Sequence, residues 1–134
     1  MTAVLNDELR RLASGPNFAI LATVNPDGSP QTSVVWVGLD GDDLVFSIVD
    51  GRRKVRNMRR EPRVSVTIID HEDPYNYGEI RGLATIEPEG GPELDQQLSW
   101  KYDNQPAGHD APGTVRIVAR IQPTKTTGYA AQAD

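Results

Sequence analysis

Residues 51 to 63, GRRKVRNMRREPR, gather seven of the fourteen lysines and arginines of the chain: Arg52, Arg53, Lys54, Arg56, Arg59, Arg60 and Arg63. The whole chain carries a formal charge of −5, so everything outside this segment is strongly acidic. Cations gathered this densely bind anions, and their spacing bears on which kind. A helix over 51 to 60 ends at Glu61-Pro62, because the residue before a proline disfavours the α region. On that helix Val55 and Met58 share an apolar face, Arg53, Lys54 and Asn57 share one flank, and Arg56 and Arg60 point further round. A helix start just after a strand offers free backbone N–H groups and the positive end of the dipole. Arg53, Lys54 and the Asn57 amide beside it form a donor set suited to one phosphate.

Two other readings compete with that one. Most basic runs are solvated faces salt-bridged to an acidic body. A nucleic-acid patch is disfavoured, because the segment lacks interleaved aromatics for stacking bases and the sequence pI of about 5.0 makes the surrounding surface repel a polyanion. A small phosphorylated molecule is the better guest, since one phosphate needs only a few donors.

The rest of the chain offers little reactive machinery. It has no cysteine, which excludes disulfides, thiolate metal sites and a cysteine nucleophile, and fits a reducing cytoplasm. His71 lies in Asp70-His71-Glu72-Asp73, but consecutive side chains rarely converge on one ion, and His109 has no partner at ligand spacing, so no metal site is expected. Ser33, Ser47 and Ser65 sit in no nucleophile-elbow pattern, and Gly38 and Gly41 form no dinucleotide fingerprint. No catalytic residue is named. An enzyme built this way takes its reactive atom from a bound cofactor. Trp36, Tyr75 and Tyr77 are either ordinary packing residues or faces for a flat apolar ring.

The elements that must position these groups are mostly strands. Leu5, Leu9 and Leu12 recur at helical spacing, with Asn6 or Asp7 as cap and Gly15-Pro16 as stop. Strands are expected over 17–24, 30–39, 44–49, 63–70, 77–87 and 115–122. Turns at Asn25-Pro26-Asp27-Gly28 and Asp40-Gly41-Asp42-Asp43 make the first three a meander. Gly82 marks a bulge or bend. Leu94, Leu98 and Tyr102 line one face of a helix over 93–102, and the tail after Pro123 is expected to be loosely held. At 134 residues the chain is expected to be one domain, 1–134, a mainly β (α+β) six-stranded antiparallel barrel with short flanking helices. It shows no signal peptide and no span long enough for a bilayer.

The order ATVNPDGSPQTSVVW, DGDDLVFSI, RRKVRNMRREPRVSV and DPYNYGEIRG resembles the pyridoxamine 5′-phosphate oxidase-like split β-barrel superfamily, and within it the F420-dependent flavin/deazaflavin oxidoreductases of the B class. The likeness runs from the first helix to the strand at 115–122. Its most specific piece is R-K-x-x-N followed by R-R-x-P-R. The resemblance implies a homodimer with cofactor sites at the interface, and coenzyme F420 as cofactor, with FMN as the alternative; a cytoplasmic location is expected from the lack of cysteines and of a signal peptide. It implies a ring lying along Gln31, Thr32, Ser33, Val34, Val35 and Trp36, with Ser47 and Ile48 lining the same groove. It assigns phosphate and tail to Arg53, Lys54, Asn57 and Arg60, with Arg52 nearby, and assigns Pro74, Tyr75, Asn76 and Tyr77 to a loop contributed by the other subunit. The activity implied is hydride transfer from a reduced deazaflavin to a conjugated enone, quinone-like or tetrapyrrole-like small molecule. An FMN-dependent oxidase and a non-catalytic F420 carrier are the other readings. No nucleic-acid or membrane partner is expected.

Overall fold

The computed structural model of the chain describes residues 2–132. In order the elements are α1 (Asp7–Ser14), β1 (Ala19–Val24), β2 (Pro30–Val35), β3 (Gly38–Asp40), β4 (Asp43–Val49), α2 (Arg53–Arg60), β5 (Arg63–Ile69), β6 (Tyr77–Glu87), α3 (Gly91–Asp103), β7 (Arg116–Thr127) and α4 (Tyr129–Gln132). The strands form one antiparallel sheet in the order β2-β1-β5-β6-β7-β4-β3. The class is the mainly β split barrel with short helices read from the sequence, but with seven strands, not six.

The extra strand arises because the expected strand 30–39 breaks at Trp36 and Val37. β2 pairs with β1 and β3 pairs with β4, so the two pieces lie at opposite edges of the sheet. Only two residues join them. An extended chain advances at most about 3.6 Å per residue, which holds Val35 and Gly38 within about 11 Å. Seven strands laid flat would put the edges roughly 29 Å apart. The sheet therefore curls until its edges nearly meet.

Inside the curl lie Leu21, Leu44, Phe46, Ile68, Ile80 and Ile121, all fully buried, and α1 adds Leu9 and Leu12. Each such side chain stabilises the fold by roughly 1.5–3 kcal/mol. Asn6 caps α1 by accepting the Leu9 N–H at 2.8 Å.

A second expectation fails. The tail after Pro123 is not loosely held: β7 continues to Thr127 along β6, and α4 follows with Ala130 fully buried. Proline was misleading as a stop because Pro123 faces Gly82 where the β6–β7 register shifts, so its missing N–H interrupts no regular ladder. Gly82 thus does mark the irregularity. A Cβ there would come within 2.4 Å of Gln122 O. Among the described residues no helix is long and apolar enough to cross a membrane.

Candidate functional site

α2 follows β4 after a tight corner in which Gly51 takes φ +93°, a conformation that side chains oppose. Its apolar face is as expected, with Val55 and Met58 buried. Its cations divide into two sets. Arg59 pairs with Asp50 at 2.7 Å and Arg63, just beyond the helix, with Glu61 at 2.9 Å. Arg60 donates to Asn57 Oδ1 and to Val24 O. The other set has no carboxylate partner. Arg52, Arg53 and Arg56 make no side-chain hydrogen bond or ion pair among the described residues, and Lys54 donates only to Ser33 Oγ, at 3.2 Å. Lys54 is half-buried. Burial, and then the neighbouring charge of Arg52, press its pKa below the ordinary lysine value.

Arg52 and Lys54 stand at a groove of about 340 Å³. Phe18, Val34, Val35, Trp36, Ile48, Val49 and Leu98 give it apolar walls, and Ser47, Asp95 and Arg116 complete the lining. Three rings organise one wall: Tyr102 lies between Phe18, at 5.6 Å between centroids, and Trp36, at 5.3 Å and only 5° from parallel. Ser47 Oγ donates to Gly91 O at 2.8 Å, tying β4 to the start of α3. Gly91 also lets the start of α3 sit against β7: a Cβ there would lie 2.3 Å from Arg116 O. Arg116, on β7 beside Val49, is held by Asp110 at 2.7 Å and Asp95 at 3.4 Å.

Of the residues singled out in the sequence, Val34, Val35, Trp36, Ser47, Ile48, Arg52 and Lys54 come together here. Ser33 touches the set through Lys54. Gln31 and Thr32 lie further down β2, outside the lining, and Gln31 accepts from Thr23 Oγ1 at 2.6 Å. Arg53 is exposed and outside it too. Asn57 is fully buried, not aimed at a ligand: its amide donates to Thr23 Oγ1 at 2.9 Å and Asn25 Oδ1 at 3.0 Å, fastening α2 to β1 and its turn. The helical wheel gives a flank but not a depth, so it grouped Asn57 with Lys54. Arg60 is likewise committed to the protein.

The loop Pro74–Tyr77 lines no part of this groove in the same chain. Asn76 Nδ2 donates to Glu8 Oε2 and Asp70 Oδ2, and Tyr75 and Tyr77 are exposed. Asp70 also pairs with Arg11 at 2.9 Å, and these donors hold its carboxyl down at about 2. Asp70 thus braces the loop. Among the described residues no cluster of three or more His, Asp or Glu is placed to hold a metal ion.

Phe18, Val49, Asp95, Leu98, Arg116 and Tyr102 were not read as site residues. They come from β1's approach, the end of β4, α3 and β7, and no local spacing links them; only the curl of the sheet brings them to β2. As a donor set the groove has three cations, Arg52, Lys54 and Arg116, against one lining carboxylate, Asp95, beside an aromatic wall. That set fits a planar ring carrying an anionic arm. It contains no paired acid and base.

The family model described as pyridoxamine 5′-phosphate oxidase matches residues 5–128. A pyridoxine/pyridoxamine 5′-phosphate oxidase of Rubrobacter xylanophilus is 29% identical over 69% of this chain, and the match takes in 40% of that relative, so the chain spans about two fifths of its length. A solved structure described as an F420 reductase superposes with a TM-score of 0.79 at 34% identity, over 88% of this chain and 94% of that one. HupZ of Group A Streptococcus shares the fold alone, with a TM-score of 0.70 at 17% identity over 92% of each chain. The chain belongs to the pyridoxamine 5′-phosphate oxidase family.

Proposed function

We propose that this family member is an F420-dependent reductase, passing hydride from a reduced deazaflavin to a conjugated enone, quinone-like or tetrapyrrole-like molecule. The observation that carries the reading is Lys54: a half-buried cation with no carboxylate partner, beside unpaired Arg52, at the mouth of an aromatic groove. Removing a cation from water without a counter-ion is unfavourable, and a phosphate would relieve it. The similarity to the F420 reductase over most of both chains favours the deazaflavin.

The bound deazaflavin supplies the hydride-carrying atom. The chain's own residues bind, orient and exclude water. Arg52 and Lys54 would hold the anionic arm, with Ser33 fixing the Lys54 ammonium. Val34, Val35, Trp36, Ile48 and Leu98, the apolar lining of the groove, would take the ring and keep water from it. In this reading the site is shared in a cytoplasmic homodimer. Val34 is 65% exposed and Tyr75 81% exposed: the loop 74–77 of a second copy would cover Val34, and Tyr75 would cover the groove of that copy.

A second reading, an FMN-dependent oxidase, is favoured by the family match and the Rubrobacter relative. Titrating the purified protein with oxidised F420 and with FMN, followed by tryptophan quenching, separates the two. The proposal expects F420 to bind more tightly. Tight FMN binding with no F420 binding would overturn it. F420 binding without consumption of the reduced form by a panel of enones and quinones would make the protein a carrier instead.

A further inference from the structure

Tyr102 and Lys101 end α3, and neither lines the groove. Yet Tyr102 is the middle ring of the stack whose outer rings, Phe18 and Trp36, do line it. Its hydroxyl donates to Asn17 O at 2.6 Å and accepts the Val37 N–H at 3.1 Å. Lys101 Nζ donates to Ala13 O at 2.7 Å and to Val37 O, and stands 4.9 Å from the Tyr102 ring centroid. Trp36 and Val37 belong to neither edge strand, so no ladder fixes them. Both backbone groups of Val37 are held instead by these two side chains.

We propose that Lys101 and Tyr102 are positioning residues for the ring-binding wall, clamping the β2–β3 crossover so that Trp36 and Phe18 are preset for the cofactor ring. The proposal rests on the reading of the groove as a ring site. A packing residue alone would not explain the lysine. Its ammonium is more than half buried, has no carboxylate partner, and is spent entirely on backbone carbonyls; such a breach of the usual burial rule is where function is looked for. The charged groups nearby are Asp40, Glu87, Glu89, Glu93 and Arg120, which share with Lys101 an adjoining cavity of about 600 Å³ without bonding it. Burial alone lowers the Lys101 pKa to about 8. The ammonium beside Tyr102 therefore loses its charge as pH rises past about 8, and the indole of Trp36, stacked on the same Tyr102 ring, reports it.

The test uses the full chain with Trp100→Phe, leaving Trp36 as the sole tryptophan of the two present. Its emission is followed without cofactor from pH 7 to pH 10, and the affinity for oxidised F420 and for FMN is measured by quenching at pH 7. The expected result is an emission shift with a midpoint near 8 that is absent in Lys101→Met, while Lys101→Arg keeps the low-pH spectrum throughout. Ring affinity should fall about tenfold in Lys101→Met and about threefold in Tyr102→Phe, the worth of lost hydrogen bonds, and recover in Lys101→Arg. Unchanged emission and affinity with only a lower Tm would reduce the pair to structural support and overturn the proposal. So would emission and affinity left unchanged in Tyr102→Phe, which keeps the ring and removes only the hydroxyl that holds Asn17 and Val37. Failure to bind either F420 or FMN in the unaltered chain would instead sink the proposed function, while the emission step tests the clamp by itself.

Discussion

Two cationic regions of this molecule meet opposite fates. On β7, Arg120 is gripped by Glu87 at 3.0 Å, Asp40 at 3.0 Å and Asp43 at 3.3 Å, and these carboxylates, Glu87 first, raise its pKa. At the start of α2, Lys54 meets no carboxylate among the described residues, and burial lowers its pKa. The acidic body thus neutralises its cations in one place and leaves them bare in another. A saturated arginine joins β3, β4, β6 and β7. An unsaturated lysine in a groove is left for something that arrives from outside. Counting charges along the chain cannot separate these roles, whereas counting partners can.

The comparison is sharpest in paired variants. Lys54→Ala should weaken cofactor binding by about 1.5–3 kcal/mol, the worth of a hydrogen bond to a charged group, with little change in Tm. Arg120→Ala should do the reverse, costing roughly 1–2 kcal/mol of stability by urea denaturation while affinity stays put. Equal losses of affinity at both positions would mean a diffuse field and no defined site.

Asn57→Ala comes next. Although it sits one turn from Lys54, it should act like the saturated region, destabilising the fold by about 1–3 kcal/mol because Thr23 and Asn25 lose a buried partner. A purely affinity-based effect would move Asn57 back into the binding set.

Acid should dissolve the saturated pairs first. Glu79, bonded by Arg81, Ser65 and Thr127, has its pKa lowered from 4.5 to about 2. Its folded pKa is depressed, so its stabilisation is complete above about 4.5 and is lost as pH falls towards 2. Denaturation midpoints between pH 5 and pH 2 should fall, and Glu79→Gln should flatten that slope. The smallest effect belongs to Arg59→Ala, which removes an exposed pair with Asp50. Stability and affinity should both stay within about 0.5 kcal/mol.

How much of this was legible in the sequence follows from the same physics. Periodicity and turn residues are local, so α1, the bulge at Gly82, the apolar face of α2 and the two tight turns were readable, but the three-strand meander was not: it is two hairpins, β1–β2 and β3–β4, at opposite edges of the sheet. The break at Trp36-Val37 was not, because its cause is the curl of the sheet, set by strands distant in sequence. Val34, Val35, Trp36, Ser47, Ile48, Arg52 and Lys54 were gathered through a family resemblance, not through spacing alone. Asn57 was placed on the right helix but not at its depth, and Arg60, exposed as expected, bonds Asn57 and Val24, a tie no local spacing shows. Tyr102 was seen only as a face of α3, since nothing local reveals that the face lies between Phe18 and Trp36.

The most direct measurement is a crystal structure of the chain grown with oxidised F420. A phosphate oxygen should lie within hydrogen-bonding distance of Lys54 Nζ, with the deazaflavin ring against Val34, Val35 and Trp36. A cofactor bound instead to the exposed Arg53–Arg56 face, or one leaving Lys54 without an anion, would contradict it.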